Sequence, residues 1–188
     1  MGWRGGLALL LPPLLAERLL KKAYVNYKGF KDSRCTDFRL LQVAIKEYDD
    51  ARRLSRALPT RDDVMIIRAE IGLTECHREL SHLHRYAAPK KMEHMDEAKT
   101  FIEHALGLAT QIGNKELMWR AQLESAVIRA RRAIVMSKTA HPGDVEVREA
   151  VQQSKEELGR LREMPEMTQY TGFVEWADLW LAKLPNTL

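Results

Sequence analysis

The chain has 188 residues, of which 45% are hydrophobic and 30% charged, and its formal net charge is +4. This composition excludes a disordered or low-complexity chain and predicts a soluble globular protein. The 30 Lys and Arg residues are interspersed with 26 Asp and Glu residues, whereas nucleic-acid-binding proteins usually concentrate their basic residues in a stripe or tail. Two cysteines are too few for a disulfide framework. We therefore expect an intracellular protein of the cytoplasm or nucleus.

The first residues contain a short apolar run over 7–15, which Pro12 and Pro13 interrupt. This run is too short to cross a membrane as a helix, so we expect no membrane association. We expect residues 1–13 to be flexible and residues 14–188 to form a single domain. A poor signal or transit peptide at residues 1–15 is the alternative, because an early arginine precedes the apolar run.

The remaining chain repeats its apolar residues in steps of three and four, which predicts amphipathic helices. Suitable N-cap residues are Thr36 or Asp37 for one helix, Thr60 for the next and Asp144 for a later one, and suitable breaks are Pro59, Gly113 and Pro165. No stretch alternates polar and apolar residues for long enough to predict a strand. In chain order, the predicted helices cover residues 14–28, 37–58, 60–86, 92–113, 116–138, 144–164 and 170–184.

One of these patterns occurs more than once. In the helix over 92–113, a small residue alternates with a large one, which allows a neighbouring helix to pack closely. A weaker copy begins at Ala150, and the spacing between copies is about 50 residues, which is typical of a helical repeat array. The two clearer copies are Ala44, Tyr48 and Ala51, and Ala98, Ile102 and Ala105.

Each of these two copies has an alanine, a bulky residue four positions later and a second alanine three positions after that. This pattern resembles the second helix of the tetratricopeptide repeat. Ile71-Gly72 resembles the Leu-Gly step of the first helix, although it lies too far upstream of Ala98 for a 34-residue unit. The resemblance covers roughly residues 20–165. It implies an all-α fold of about seven helices, stacked as antiparallel hairpins in a solenoid and capped by the helix over 170–184. The alternative is a non-repeat helical bundle.

The resemblance also implies a class of function. In the tetratricopeptide family the first helix of each pair lines a groove, where basic and amide side chains hold the carboxylates of a partner. We therefore expect a non-catalytic scaffold or adaptor that binds a peptide or helix of another protein. The alternative for each residue is a solvated face. The candidate groove residues are Asn26, Lys28, Arg68, Glu75, Arg120, Glu124 and Arg131.

A different reading of the helix over 116–138 is a basic face formed by Arg129, Arg132 and Lys138. Such a face could bind nucleic acid. Single-stranded nucleic acid would also need exposed aromatic side chains for stacking, and the aromatic residues here mostly fall on the apolar stripes. Nucleic-acid binding is therefore the alternative function rather than the leading one.

The histidines do not have the spacing of a metal site within one helix. A helical pair of ligands lies three or four residues apart, but His77 and His82 are five apart and His82 and His84 are two apart. His94 and His104 are also out of phase. No nucleophile motif, phosphate-binding loop or dinucleotide fingerprint occurs. We therefore expect no enzyme activity, no cofactor and no metal, and the oligomeric state stays open.

Overall fold

The computed structural model describes residues 6–83, 86–139, 141, 144–168 and 172–185. In these ranges all regular secondary structure is α-helical, which confirms the predicted all-α fold, and seven of the helices are longer than a single turn. None of the described helices is both long enough and apolar enough to cross a membrane. The helices are α1 (Gly6–Asp32), α2 (Phe38–Ala57), α3 (Asp63–His82), α4 (Ala88–Gln111), α5 (Lys115–Ser137), α6 (Val145–Glu163), α7 (Pro165–Thr168) and α8 (Phe173–Leu181).

Side-chain caps fix several helix ends. The Asp37 carboxylate accepts a hydrogen bond from the Arg39 amide at 3.1 Å, and the Asp144 carboxylate accepts from the first amides of α6. Both caps were predicted, because a short carboxylate satisfies amides that have no helical acceptor. Asn114 caps α5 in the same way. Gly113, just before it, has φ of +68°, a conformation that glycine adopts without strain.

The first helix begins earlier than its sequence pattern predicts. α1 starts at Gly6 and continues through Pro12 and Pro13, whereas residues 1–13 were expected to be flexible. Each proline removes one backbone donor from the helix at a cost of about 3 kcal/mol, which disfavours this helix without forbidding it. Residues 1–5 lie outside the described residues.

The boundaries of α3 and α4 also differ from the prediction. Asp62, not Thr60, caps α3, since its carboxylate accepts from the Met65 amide at 3.0 Å. α4 begins at Ala88 and holds Pro89 in its first turn, where the missing N–H would have no helical acceptor. Likewise α7 begins at Pro165, which the sequence pattern treated only as a break.

The chain divides into two compact units. Unit 1 consists of Met1–Cys76 and Phe101–Met118, and unit 2 consists of His77–Thr100 and Trp119–Leu188. In unit 1, α1 packs against α2. The fully buried side chains of unit 1 include Phe30, Leu41, Ile66, Ile67, Ile71 and Ile102.

A close approach between α2 and α3 in unit 1 depends on Gly72. A Cβ atom on Gly72 would lie 2.4 Å from Cζ of Tyr48, so the tyrosine ring occupies the space that any other side chain would need. Ala44 and Ala51, on either side of Tyr48 in α2, are fully buried. The close approach is therefore made by the large residue of the pattern on a glycine of α3, and the role of the two alanines in helix packing stays a prediction.

In unit 2, α6 packs against α8, and α7 contacts both. The 77–82 part of α3 contacts α4 through His77 and Glu97. It also contacts α5, where Arg78 donates a hydrogen bond to Glu124 and Arg131 donates one to the backbone carbonyl of Ser81. The residue numbers of the paired side chains increase together along the two helices, so α3 and α5 run in the same direction. First helices of successive pairs have this relation in a stacked array.

Candidate functional site

Buried polar side chains from α3 and α5 meet in unit 2, and we call this group the α3–α5 polar cluster. It consists of Arg78, Ser81 and His82 on α3 and Glu124 and Arg131 on α5. The Arg78 guanidinium donates a hydrogen bond to the Glu124 carboxylate. Arg131 donates to the backbone carbonyl of Ser81 at 2.9 Å. Glu124 is 0% exposed, Arg78 3% and Arg131 8%, so these charges are removed from water.

Each charge in the cluster has a compensating group. A buried carboxylate is costly unless a cation pairs with it, and Arg78 supplies that cation to Glu124. Ser81 lies in the last turn of α3, where the backbone carbonyls have no helical donor. Arg131 therefore caps the C-terminal end of α3, where a positive charge is also favoured by the helix dipole.

Helix α8 covers this cluster with two tryptophans. The Arg78 guanidinium carbon lies 4.9 Å from the centroid of the Trp176 ring, which is a cation–π distance. The Trp180 ring lies 6.1 Å from the His82 ring and is itself only 3% exposed. Elsewhere on α8, Asp178 pairs with Arg162 of α6 at 2.6 Å. The cluster thus forms a surface against which a helix is seated.

His82 is held in its neutral form at this contact. Burial, together with the positive charge of Arg131, lowers the pKa of His82 from 6.5 to about 3. Arg78 and Lys183 act in the same direction, and Glu79 opposes them. A neutral imidazole beside Trp180 gives that tryptophan an aromatic neighbour without a further charge to desolvate.

The groove and basic-face residues predicted in unit 2 have different surroundings. Glu124 and Arg131 are brought together in the cluster, while Arg120 is half-buried on the same helix. On the basic face, Arg129 pairs with Glu157 of α6 and Arg132 pairs with Asp96 of α4. Lys138 is exposed just after the end of α5. Two of the three basic-face charges therefore already have carboxylate partners within the chain.

The groove candidates in unit 1 lie on α1 and α3. The Asn26 amide donates a hydrogen bond to the Glu47 carboxylate at 2.7 Å. Lys28 and Arg68 are exposed, and Glu75 is buried with 8% exposure. Their assignment to a partner-binding groove stays a prediction.

Unit 1 has a buried carboxylate of its own that the sequence did not single out. Glu70 of α3 is 1% exposed. One of its oxygens lies 2.8 Å from Nη2 of Arg56 and 3.8 Å from Nη1 of Arg52, and the other lies 2.5 Å from Nδ1 of His104. Arg52 also lies over the ring of Phe101, at 5.1 Å. This group ties α2, α3 and α4 together within the unit.

A third polar group in unit 2 brings two histidines to one carboxylate. Nδ1 of His77 lies 2.6 Å from Oε2 of Glu97, and Nδ1 of His94 lies 3.2 Å from the same oxygen. The two histidines are 9% and 7% exposed. Burial is the main cause that lowers the pKa of His77, and Glu97 opposes it. The sequence test looked for spacing within one helix, and it missed this group because the histidines come from α3 and α4.

Comparisons of the chain with protein-family models, curated proteins and solved structures give no match. The geometry of the described residues is therefore the basis for assigning function. Two aromatic side chains of one helix, Trp176 and Trp180 of α8, pack on the α3–α5 polar cluster, whereas one, Phe101 of α4, packs on Arg52 of the Glu70 group.

Proposed function

We propose that the chain is a non-catalytic scaffold or adaptor that binds a helix of a partner protein at the α3–α5 polar cluster. The observation that carries this proposal is the position of α8. Two tryptophans one helical turn apart, Trp176 and Trp180, contact Arg78 and His82 on α3. A surface that accepts this helix from its own chain has the chemistry to accept a similar helix from another protein.

The contact has the composition of a strong protein interface. Tryptophan and arginine are enriched among the residues that dominate binding energies, especially where water is excluded. A desolvated cation–π contact such as that of Arg78 with Trp176 contributes about 0.5–2 kcal/mol. The buried pair of Arg78 and Glu124 fixes the guanidinium in place, so little side-chain entropy is lost when an aromatic ring packs on it.

The same contacts define the partner. The helix that binds should carry two aromatic residues four positions apart, matching Trp176 and Trp180. It should also carry a carboxylate two positions after the first aromatic residue, where Asp178 of α8 pairs with Arg162 of α6 outside the cluster. The resemblance to the tetratricopeptide repeat supports this mode, because the first helices of such repeats line the partner groove and the sequence pattern assigns α3 and α5 to those positions.

Helix α8 competes with such a partner in the intact chain. A tethered helix has an effective concentration near the millimolar range when its linker is short. The partner must therefore displace α8, and its apparent affinity is lowered by the fraction of chains in which the surface is free. Weakening the seat of α8 should increase partner binding.

A peptide-display selection against the full chain tests the proposal. We expect enriched helical peptides with the aromatic and carboxylate spacing given above. Their affinity should increase about tenfold in Trp176→Ala, which weakens the seat of α8. Leu179→Ala is the matched control, because Leu179 lies on the same helix but is 48% exposed, and it should leave the affinity unchanged. Enriched peptides that bind both variants and the parent chain equally would contradict the proposal.

Nucleic-acid binding through Arg129, Arg132 and Lys138 is the alternative. Ion pairs with Glu157 and Asp96 already satisfy the first two arginines, so binding would require those pairs to open. If the alternative holds, affinity for RNA or DNA will fall steeply with salt and will be lost in the triple alanine variant of these residues.

A further inference from the structure

We propose that His77, His94 and Glu97 form a binding site for a divalent transition metal ion, with Zn²⁺ the best fit. The site lies entirely within unit 2 and is separate from the α3–α5 polar cluster. It goes beyond the proposed scaffold function, and it departs from the sequence-based expectation of no metal. The inference starts from geometry: one ligand atom from each residue can be chosen so that all three lie within 4.8 Å of one another.

Two of the three distances between the ligand atoms are close to those that a small divalent ion needs. Zinc bonds to histidine nitrogen and carboxylate oxygen at about 2.0–2.2 Å, so two ligands of a tetrahedral ion lie about 3.3–3.5 Å apart. His94 Nδ1 and Glu97 Oε2 are already 3.2 Å apart. His77 Nδ1 and the same oxygen are 2.6 Å apart and need to separate by less than about 1 Å. Since Glu97 is 45% exposed, its side chain has room for this movement.

The donor set points to zinc rather than to calcium or magnesium. Imidazole nitrogens suit zinc and the neighbouring transition metals, whereas calcium and magnesium take oxygen ligands almost exclusively. Two histidines and one carboxylate supply three ligands and leave a fourth position for water or a partner side chain. The half-exposed Glu97 provides the path by which an ion would enter.

The two helices hold the histidines in place without the metal. The rings of His77 and His94 lie 5.5 Å apart, centroid to centroid, and the Tyr86 ring lies 5.4 Å from that of His94. Nearby Lys90 contributes a positive charge that disfavours a cation, but its ammonium is held by Glu93 at 2.7 Å. A metal ion would crosslink α3 to α4 and stabilise their contact, because the ion binds the folded arrangement and not the unfolded chain.

Calorimetric titration of the full, metal-free chain with Zn²⁺ tests the proposal, and Co²⁺ absorption reports the ligands. We expect one ion per chain, a visible Co²⁺ spectrum typical of four or five ligands, and an increase in the melting temperature with Zn²⁺. Affinity should fall about tenfold or more in Glu97→Gln and in His94→Gln. Glu103→Gln is the matched control for the carboxylate, since Glu103 is also an exposed glutamate of α4. His141→Gln is the control for His94→Gln, since His141 is an exposed histidine outside the site.

Glu97→Gln decides the outcome even if His94→Gln fails to fold, because Glu97 is half-exposed and its replacement keeps the shape of the side chain. Absence of saturable binding at millimolar Zn²⁺ would overturn the proposal. Binding that persists in Glu97→Gln but is lost in His141→Gln would also overturn it, because the ion would then occupy a different place.

Discussion

The two units each bury a carboxylate, but they compensate its charge in different ways. Glu70 of unit 1 and Glu124 of unit 2 are 1% and 0% exposed. Glu70 meets three cationic or imidazole groups, and two of these, Arg56 and His104, are 42% and 44% exposed. Glu124 pairs with Arg78, whose side chain is only 4% exposed. The first carboxylate has several partners that reach solvent, and the second has a partner that is itself buried.

This difference is the reason why the proposed binding surface is the cluster of unit 2 and not that of unit 1. In unit 1, losing one partner leaves two others, and water can reach them. In unit 2, the charge of Arg78 is shielded by Trp176 of α8, so the burial of the pair depends on a helix that covers it. When α8 leaves, Arg78 becomes available to another aromatic residue. The comparison therefore favours unit 2 over unit 1 for the partner binding that we propose.

Arg78→Met should have the largest effect on stability. It leaves Glu124 buried without its cation, which typically costs about 3–5 kcal/mol. Urea unfolding of the variant measures this loss. The double variant Arg78→Met with Glu124→Leu should recover most of the stability, since two apolar side chains replace a buried ion pair at little cost. A loss below about 1 kcal/mol in the single variant would show that Glu124 is not dependent on Arg78.

Ala98→Leu and Ala105→Leu test whether the two units differ only in how their buried charges are compensated, and not in how tightly their apolar cores are packed. Both alanines are fully buried on α4, Ala98 in unit 2 and Ala105 in unit 1. A larger side chain at either position should overpack the core and cost about 1–3 kcal/mol, and the two costs should be similar. Thermal unfolding measures both. Unchanged melting temperatures would remove the role assigned to the small residues of this helix.

His82 should make unit 2 sensitive to acid. Its pKa in the folded chain is about 3, below the ordinary 6.5. Between these two pH values, the unfolded chain binds a proton at His82 and the folded chain does not. Stability therefore falls as the pH falls between these two values. From about pH 6 to about pH 5, the parent chain should lose about 1 kcal/mol more than His82→Gln does. Equal losses in urea titrations of the two proteins would argue against a neutral, buried His82.

Arg56→Met should have the smallest effect. Arg56 is 42% exposed, and Glu70 keeps His104 and Arg52 beside it. The expected loss is about 1 kcal/mol or less, measured in the same urea experiment as Arg78→Met. A cost as large as that of Arg78→Met would abolish the distinction between the two carboxylates.

Much of the fold follows from local sequence patterns. The helix periods, the caps at Asp37 and Asp144 and the small residues Ala98 and Ala105 depend only on neighbours along the chain. Those features agree with the structure. The helix start at Gly6 and the short α7 do not follow from local rules, because the pattern indicates a helix start at Pro12 and Pro13 and a break at Pro165.

The polar groups were less predictable, because each forms between helices. Glu124 and Arg131 were singled out as groove residues, but their partners Arg78 and Ser81 lie 46 and 50 residues earlier in the chain. The sequence contained an indirect indication that His77 and His94 lie close together. α3 ends at His82 and α4 begins at Ala88, so residues at similar distances from this connection face each other in an antiparallel hairpin. Spacing within one helix carries no such information.

The most direct test of the account asks whether the surface under α8 binds α8 itself. A fluorescent peptide of residues 172–185 is titrated with the parent chain and with Trp176→Ala, and anisotropy gives the affinity. We expect the peptide to bind Trp176→Ala about tenfold more tightly, because the weakened tethered helix no longer competes at its high effective concentration. Leu179→Ala should behave like the parent. Equal binding to all three chains, or no binding to any, would contradict the assignment of the α3–α5 polar cluster as a helix-binding surface.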